Sequence, residues 1–215
     1  MAAPATQVEK VVIISEAILS YPKLFEPEAG PGGGPPKYGC TLIVTDDASL
    51  TKLKKAALAV AFEKLGEDKA KKLIKAGKLK MPFIKTTEDD AGYPEGSTYI
   101  RPRSKTKPGI VSRFPDPENP KKPAKITDPA EMYPGAIVAA QVVAFYYNTN
   151  GNQGISFAIN GLQKLRDGER LAGAAPAEDV FSVDESVVAG FGDDVEKDAD
   201  ANTDETEEDI SDLIG

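Results

Sequence analysis

Apolar and polar positions along the chain change period several times, and each change marks an element. Residues 8–20 (VEKVVIISEAILS) are dense in β-branched side chains and predict a first strand. Residues 21–27 (YPKLFEP) follow, where two prolines are expected to stop regular pairing, and the Gly/Pro cluster at 29–36 predicts a loop. Residues 37–45 (KYGCTLIVT) predict a second strand that ends at Asp46-Asp47. From Ser49 to Leu65 the spacing turns helical. Leu50, Leu53, Ala57, Val60, Ala61 and Leu65 share one face, Lys52, Lys54 and Lys55 fall largely on the other, and Asp46, Asp47 or Ser49 is placed to cap. A short second helix is expected over 68–75, ending near Gly77.

Strand signals resume at 98–103 and 109–112, and a proline-heavy stretch at 115–129 separates them from Tyr133-Pro134-Gly135. Residues 136–147 (AIVAAQVVAFYY) carry the strongest strand pattern in the chain. The Asn/Gly run at 148–154 predicts a turn, and 155–165 (ISFAINGLQKL) a returning partner, together a hairpin. Some five strands, one helical insertion at about 46–76 and few long helices predict a mainly β fold. The expected architecture is an OB-fold-like, five-stranded Greek-key barrel. After Leu171 the hydrophobic period disappears into Asp and Glu, so a barrel domain over 1–172 and a disordered acidic C-terminal tail over 173–215 are expected.

Charge sharpens that division. The net charge of -8 averages two unlike segments: residues 1–172 hold 25 of the 26 Lys and Arg against 19 acids, and residues 173–215 hold Lys197 alone against 15. A basic body with an acidic tail points toward nucleic-acid partners. One cysteine, Cys40, and no histidine leave neither a disulfide framework nor a Cys/His metal site, and no metal or cofactor is expected. The N-terminus has no charged segment leading into an apolar run, and no stretch approaches the ~20 apolar residues of a membrane span. The expectation is a cytoplasmic protein without membrane contact.

Three constellations bear on chemistry. Arg101, Arg103, Lys105, Lys107, Arg113, Lys121, Lys122 and Lys125 fall in a segment whose only acids are Asp116 and Glu118. On one continuous strand Arg101, Arg103, Lys105 and Lys107 would share a face, a row of cations about 7 Å apart. Read alone, such a run is also what a solvated strand face looks like. Aromatics add to it: Tyr21, Phe25 and Tyr38 sit beside Lys23 and Lys37, and Phe145, Tyr146 and Tyr147 end the strongest strand. A cationic groove with rings for stacking is what sequence-tolerant binding of single strands requires. Of the three rings in that strand, Tyr147, nearest the turn, is the stacking candidate. Third, the tail carries acids from Asp193 to Asp212 with Ile210, Leu213 and Ile214 at its tip. A tethered polyanion competes with DNA for a cationic groove, and its apolar tip offers a hold to a partner protein.

Enzyme signals are thin. Ser104-Lys105-Thr106-Lys107 fits S-x-x-K without its companion motifs, the Gly30–Gly34 loop lacks the G-K-[ST] ending of a phosphate loop, and the tail's echo of a calcium loop lacks the required Gly. Glu88-Asp89-Asp90 would have to carry any metal-dependent nuclease chemistry, and no base supports it.

In this order, several segments resemble the tailed-phage single-stranded DNA-binding protein family: LSYPKLFEP at 19–27, PKY at 36–38, SKTKPG at 104–109, ITDP at 126–129, YPG at 133–135, YYNTNGNQGI at 146–155 and LQKLRDGE at 162–169. The resemblance implies an OB-fold, binding of single-stranded DNA without catalysis or cofactor, and a role in phage DNA replication or recombination. It also implies an acidic C-terminal tail that modulates binding. A phage-encoded chain would act in the host cell cytoplasm, and a homodimer is left open. The competing non-catalytic reading is a phage structural or adaptor protein that recruits a replication enzyme through its acidic tail. Carried onto this sequence, the motif residues facing DNA are Tyr21, Lys23, Phe25, Lys37, Tyr38, Ser104, Lys105, Lys107, Tyr147 and Lys164. Arg101, Arg103 and Arg113 join them from the basic segment. The chain departs from the family's pattern in closing on Leu213-Ile214-Gly215 rather than an aromatic residue, and in its Pro-rich insertion at 115–123.

Overall fold

The computed structural model describes residues 10–171 except 31–33, 88–89, 91 and 150. In chain order the elements are β1 (Val11–Glu28), β2 (Lys37–Val44), α1 (Asp47–Leu65), α2 (Glu67–Lys75), β3 (Ile84–Lys85), β4 (Thr98–Ile100) and β5 (Arg103–Ser104). They continue with β6 (Gly109–Pro115), β7 (Pro123–Lys125), a 3-10 turn at Pro129–Glu131, β8 (Ile137–Thr149) and β9 (Asn152–Arg166).

β1 is the spine. Its first half pairs antiparallel with β8, from Val11↔Val143 to Ile18↔Ile137, and its second half with β2, from Ile18↔Ile43 to Glu28↔Lys37. The far edge of β2 pairs with β4 and β5, while β8 pairs with β9 and β9 runs parallel to β6 from Gly109↔Gly161 to Ser112↔Lys164. Because β4, β5 and β6 are successive pieces of one path, that path joins β2 at one end and β9 at the other. The sheet therefore closes on itself. The result is the expected five-stranded OB-like barrel, its third strand broken into pieces and its helices inserted after the second. Lys80 adds a parallel bridge to Gly154 on the open edge of β9.

The interior follows the two-residue alternation of the strands. Ile14 and Leu19 of β1, Leu42 and Val44 of β2, Ile100 of β4, Val138 and Val142 of β8, and Ile155, Phe157 and Ile159 of β9 are buried together. α1 lays Leu53, Ala57, Val60 and Ala61 on this core. Asp46 caps it by accepting from the Ser49 amide at 2.6 Å, and the Ser49 hydroxyl accepts from the Ser15 amide at 3.3 Å, which ties the helix to β1.

Several boundaries differ from the sequence reading, each for a local reason. β1 runs on through Pro22 and Pro27, where pairing was expected to stop. Register shifts between Ser20 and Lys23, and between Lys23 and Glu28, put both prolines where a missing N–H forfeits no ladder bond. The strand expected over 98–103 is interrupted at Arg101-Pro102, and the proline-heavy stretch supplies β7. The broad turn expected at 148–154 narrows, because β8 and β9 stay paired out to Thr149↔Asn152 and Gly151 takes a positive φ of 82°.

Candidate nucleic-acid interface

The second half of β1 and the first half of β2, together with the Arg101–Arg103 step, enclose an open groove of about 520 Å³. Its walls carry Tyr21, Lys23 and Glu28 from β1, Lys37 from β2, and Arg101 and Arg103; Gly39, Cys40 and Thr41 form the floor. Each is there for a backbone reason. Lys37, Gly39 and Thr41 alternate outward along β2. The register Gly39↔Arg103 then brings β5 so close that a Cβ on Gly39 would lie 2.9 Å from the Pro102 carbonyl oxygen and from Arg103 Cγ. A side chain at 39 would push the arginine strand off the floor.

Four cations face one carboxylate. Glu28 pairs with Lys23 at 2.9 Å, and among the described residues Lys37, Arg101 and Arg103 have no acid within ion-pair distance. Arg101 is steadied from behind. Its guanidinium lies 5.2 Å from the centroid of the Tyr99 ring and donates to the Tyr99 hydroxyl at 3.4 Å. Tyr99 is itself edge-on to Tyr93 at 5.6 Å, and the Tyr93 hydroxyl donates to Ser20 Oγ at 2.8 Å. Burial raises the Tyr93 phenol above its ordinary value. Cys40, buried in the floor, has its thiol pushed far up by desolvation and brings no negative charge to the groove.

Tyr21 stands at the mouth. It is 70% exposed and sits in the bulge after Ser20 at φ +43°, the one non-glycine residue with positive φ among those described. A bulky residue in the left-handed region carries strain of order 1–3 kcal/mol, a feature that clusters at functional sites. The bulge presents a large ring to solvent beside three unpaired cations.

The remaining sequence candidates divide by place. Phe25 and Lys107 meet, with the ammonium 5.5 Å from the ring centroid, and Ser104 pairs with Tyr38 beside the groove. Tyr38 alternates with Cys40 and Leu42 and is half-buried rather than part of the groove wall. The single row of Arg101, Arg103, Lys105 and Lys107 is not formed: the strand breaks at Pro102 and ends at Ser104, so only the two arginines line the groove.

Tyr147 lies at the hairpin tip, beyond the β1 end opposite the groove. It is half-buried, with its hydroxyl 2.7 Å from where a Cβ on Gly154 would stand. Phe145, on the same face, is 40% exposed, while Tyr146 turns back and donates to Gln153 Oε1 at 2.8 Å. Lys164 pairs with Asp167 at 2.8 Å under the Tyr133 ring and is not among the residues lining the groove. Arg113 covers the ring of Phe114, an exposed aromatic that sequence reading passed over as a lone Phe among prolines.

Glu88 and Asp89 lie outside the described residues, as do the tail acids and Ile210, Leu213 and Ile214. Asp90 accepts from the Thr87 amide at 2.9 Å as part of its own loop. Among the described residues no cluster of three or more His, Cys, Asp or Glu is arranged to hold a metal, and no helix is long and apolar enough to cross a membrane.

An OB barrel with a cationic groove across its second and third strands defines the class: small β-barrels that use this face to hold oligonucleotides or oligosaccharides. The chain belongs to the family described as Enterobacter phage Enc34, ssDNA-binding protein, which it matches over residues 10–192. A curated relative, the putative protein p50 of Acyrthosiphon pisum secondary endosymbiont phage 1, is 26% identical over 166 residues, covering 74% of this chain and 85% of the relative. Among solved structures, the single-stranded DNA-binding protein of bacteriophage Enc34 in complex with ssDNA superposes with a TM-score of 0.53 at 21% identity, over 79% of this chain and 98% of that one. The single-stranded DNA-binding protein gp2.5 of bacteriophage T7 superposes with a TM-score of 0.50 at 13% identity, over 90% and 99%. At these identities the structures establish the fold.

Proposed function

We propose that this chain binds single-stranded DNA with little sequence preference, as a non-catalytic protein of phage DNA replication and recombination acting in the host cytoplasm. Family membership supports the activity, and the observation that carries the site is the pairing of the Tyr21 ring with Lys23, Lys37, Arg101 and Arg103 in one groove. Phosphates neutralise the cations and a base stacks on the ring. Both contacts ignore base identity, so affinity is general and salt-sensitive. Residues 1–172 form the binding domain in this reading. Residues 173–215 act as a regulatory polyanion whose apolar tip engages a replication protein, and self-association as a homodimer is compatible with it. Phe25 with Lys107, Tyr38, Ser104, Lys105, Arg113, Tyr147 and Lys164 belong to the wider candidate surface.

Fluorescence anisotropy with a labelled oligo-dT and with a duplex of equal length tests the activity. The expected result is tight, salt-dependent binding of the single strand, weakened about tenfold or more in Arg101→Ala/Arg103→Ala with the melting temperature unchanged. Absence of single-strand binding by the intact chain would overturn the reading. Undiminished binding by the double variant would overturn the groove as its site.

A further inference from the structure

The pairing of β6 with β9 ends at Ser112↔Lys164, yet β6 continues to Pro115 and returns as β7. Beyond the barrel edge the chain is a two-stranded ribbon held by its own bonds: the Asp116 amide donates to the Lys122 carbonyl at 2.8 Å, Asn119 to Asp116 at 3.1 Å and Lys122 to Asn119 at 2.9 Å. Its base is anchored, since the Ile126 amide donates to the Ile110 carbonyl at 3.0 Å and both isoleucines are buried. The projecting part buries nothing large. It carries Phe114, 61% exposed, with the Arg113 guanidinium 4.9 Å from its ring centroid, and the exposed Lys121 and Lys122 on the return. Among the described residues none of these cations has an ion-pair partner. The acids of the turn are partly used internally, Asp116 Oδ1 accepting from the Glu118 amide at 2.9 Å.

We propose that this ribbon is a second single-stranded DNA contact, separate from the groove, which extends the length of strand one protomer holds. The inference rests on the single-strand reading of the groove and adds a surface to it. Three observations point the same way. A ring in water beside an arginine is a stacking platform of the kind that base faces occupy, and the unpaired cations of the same ribbon are partners for backbone phosphates. The ribbon also continues the groove along the chain: Arg103 ends the groove wall in β5, Lys105 and Lys107 follow, and β6 begins at Gly109. A solubilising loop would need the charges but not an exposed aromatic, and a duplex would meet the phosphate contacts but leave the ring idle.

The test compares two oligonucleotide lengths. A short dT of about six nucleotides fills the groove, and one of about sixteen reaches the ribbon, within the range covered by single OB domains. The variant Phe114→Ala/Lys121→Ala/Lys122→Ala is expected to bind the short strand as the unaltered chain does. It should bind the long one about tenfold more weakly, with a salt slope reduced by roughly one to one and a half units as up to two phosphate contacts vanish. Phe114→Leu alone, which keeps an apolar side chain and all the charges, should lose part of the long-strand affinity at an unchanged slope. Equal affinities for the long strand would overturn the ribbon contact while leaving the groove intact. A loss confined to duplex DNA would overturn its assignment to single strands. Failure of the unaltered chain to bind even the short strand would instead remove the reading on which the inference stands.

Discussion

Tyr21 concentrates the tension between stability and binding in one residue. Its ring is exposed and its backbone is strained, so it contributes little packing and a standing cost. Tyr21→Ala keeps the backbone strain and removes the ring. Single-strand affinity should fall tenfold to a hundredfold, about 1–3 kcal/mol of lost stacking. Tyr21→Gly removes the ring and relieves the left-handed conformation as well, so it should bind as poorly as the alanine variant yet be about 1 kcal/mol more stable. Thermal melts and anisotropy on the pair check this. A glycine variant that melts below the alanine variant would show that the bulge is not strained. At this scale the sequence was half legible. The adjacency of Tyr21 to Lys23, and of Lys37 to Tyr38, was enough to nominate groove residues, because neighbours on a strand stay neighbours. It misplaced Lys105 and Lys107 because the break at Pro102 destroys the alternation that a continuous strand would have given them. It missed Phe114 because an isolated ring among prolines has no period to be read from.

Among the elements, the end of β9 is tied to β1 and to the following turn by charge. Arg166 pairs with Glu16 of β1 at 2.6 Å, and Lys164 with Asp167 at 2.8 Å, while the Tyr133 hydroxyl donates to Asp167 Oδ1 at 3.0 Å. The hydrogen bond from Arg166 holds the Glu16 carboxyl below its ordinary value, and those from Lys164 and Tyr133 do the same for Asp167. A carboxylate depressed by folding adds stability that is present above its unfolded value and lost as pH falls through its lower folded one. Glu16→Gln/Asp167→Asn should therefore melt slightly below the unaltered chain at neutral pH. The gap should close once pH has fallen well below the ordinary carboxylate range of about 4. Both side chains are largely solvated, so the gap is small. A gap that persisted into acid would mean that packing, not charge, is what the two carboxylates contribute here. The β8–β9 hairpin and α1 were legible because their periods are long and unbroken. The course of β1 through Pro22 and Pro27 was not, because only pairing register reveals that those prolines fall at bulges.

For the whole molecule the governing fact is that a chain of net charge -8 keeps its cations in the part that folds around the groove. Closure of the barrel through a parallel β6–β9 pairing was beyond sequence pattern, since it joins segments some fifty residues apart, but the opposition of charge was plain in composition. That opposition sets the last prediction. Residues 173–215 hold 15 acids and Lys197, and a tether keeps them at an effective concentration that reaches millimolar near any cationic surface of the same chain. DNA must displace whatever share of the groove they occupy, so deletion of residues 176–215 should tighten single-strand binding at low salt. Salt weakens the tail's hold as it weakens DNA's, and the two proteins should converge as ionic strength rises, the intact chain showing the shallower salt dependence. Anisotropy titrations of both proteins across a salt series decide it. Were the tail only a solubilising appendage, the two lines would coincide at every salt. Were it part of the DNA contact, the shortened protein would bind more weakly, and competition by the tail would be overturned.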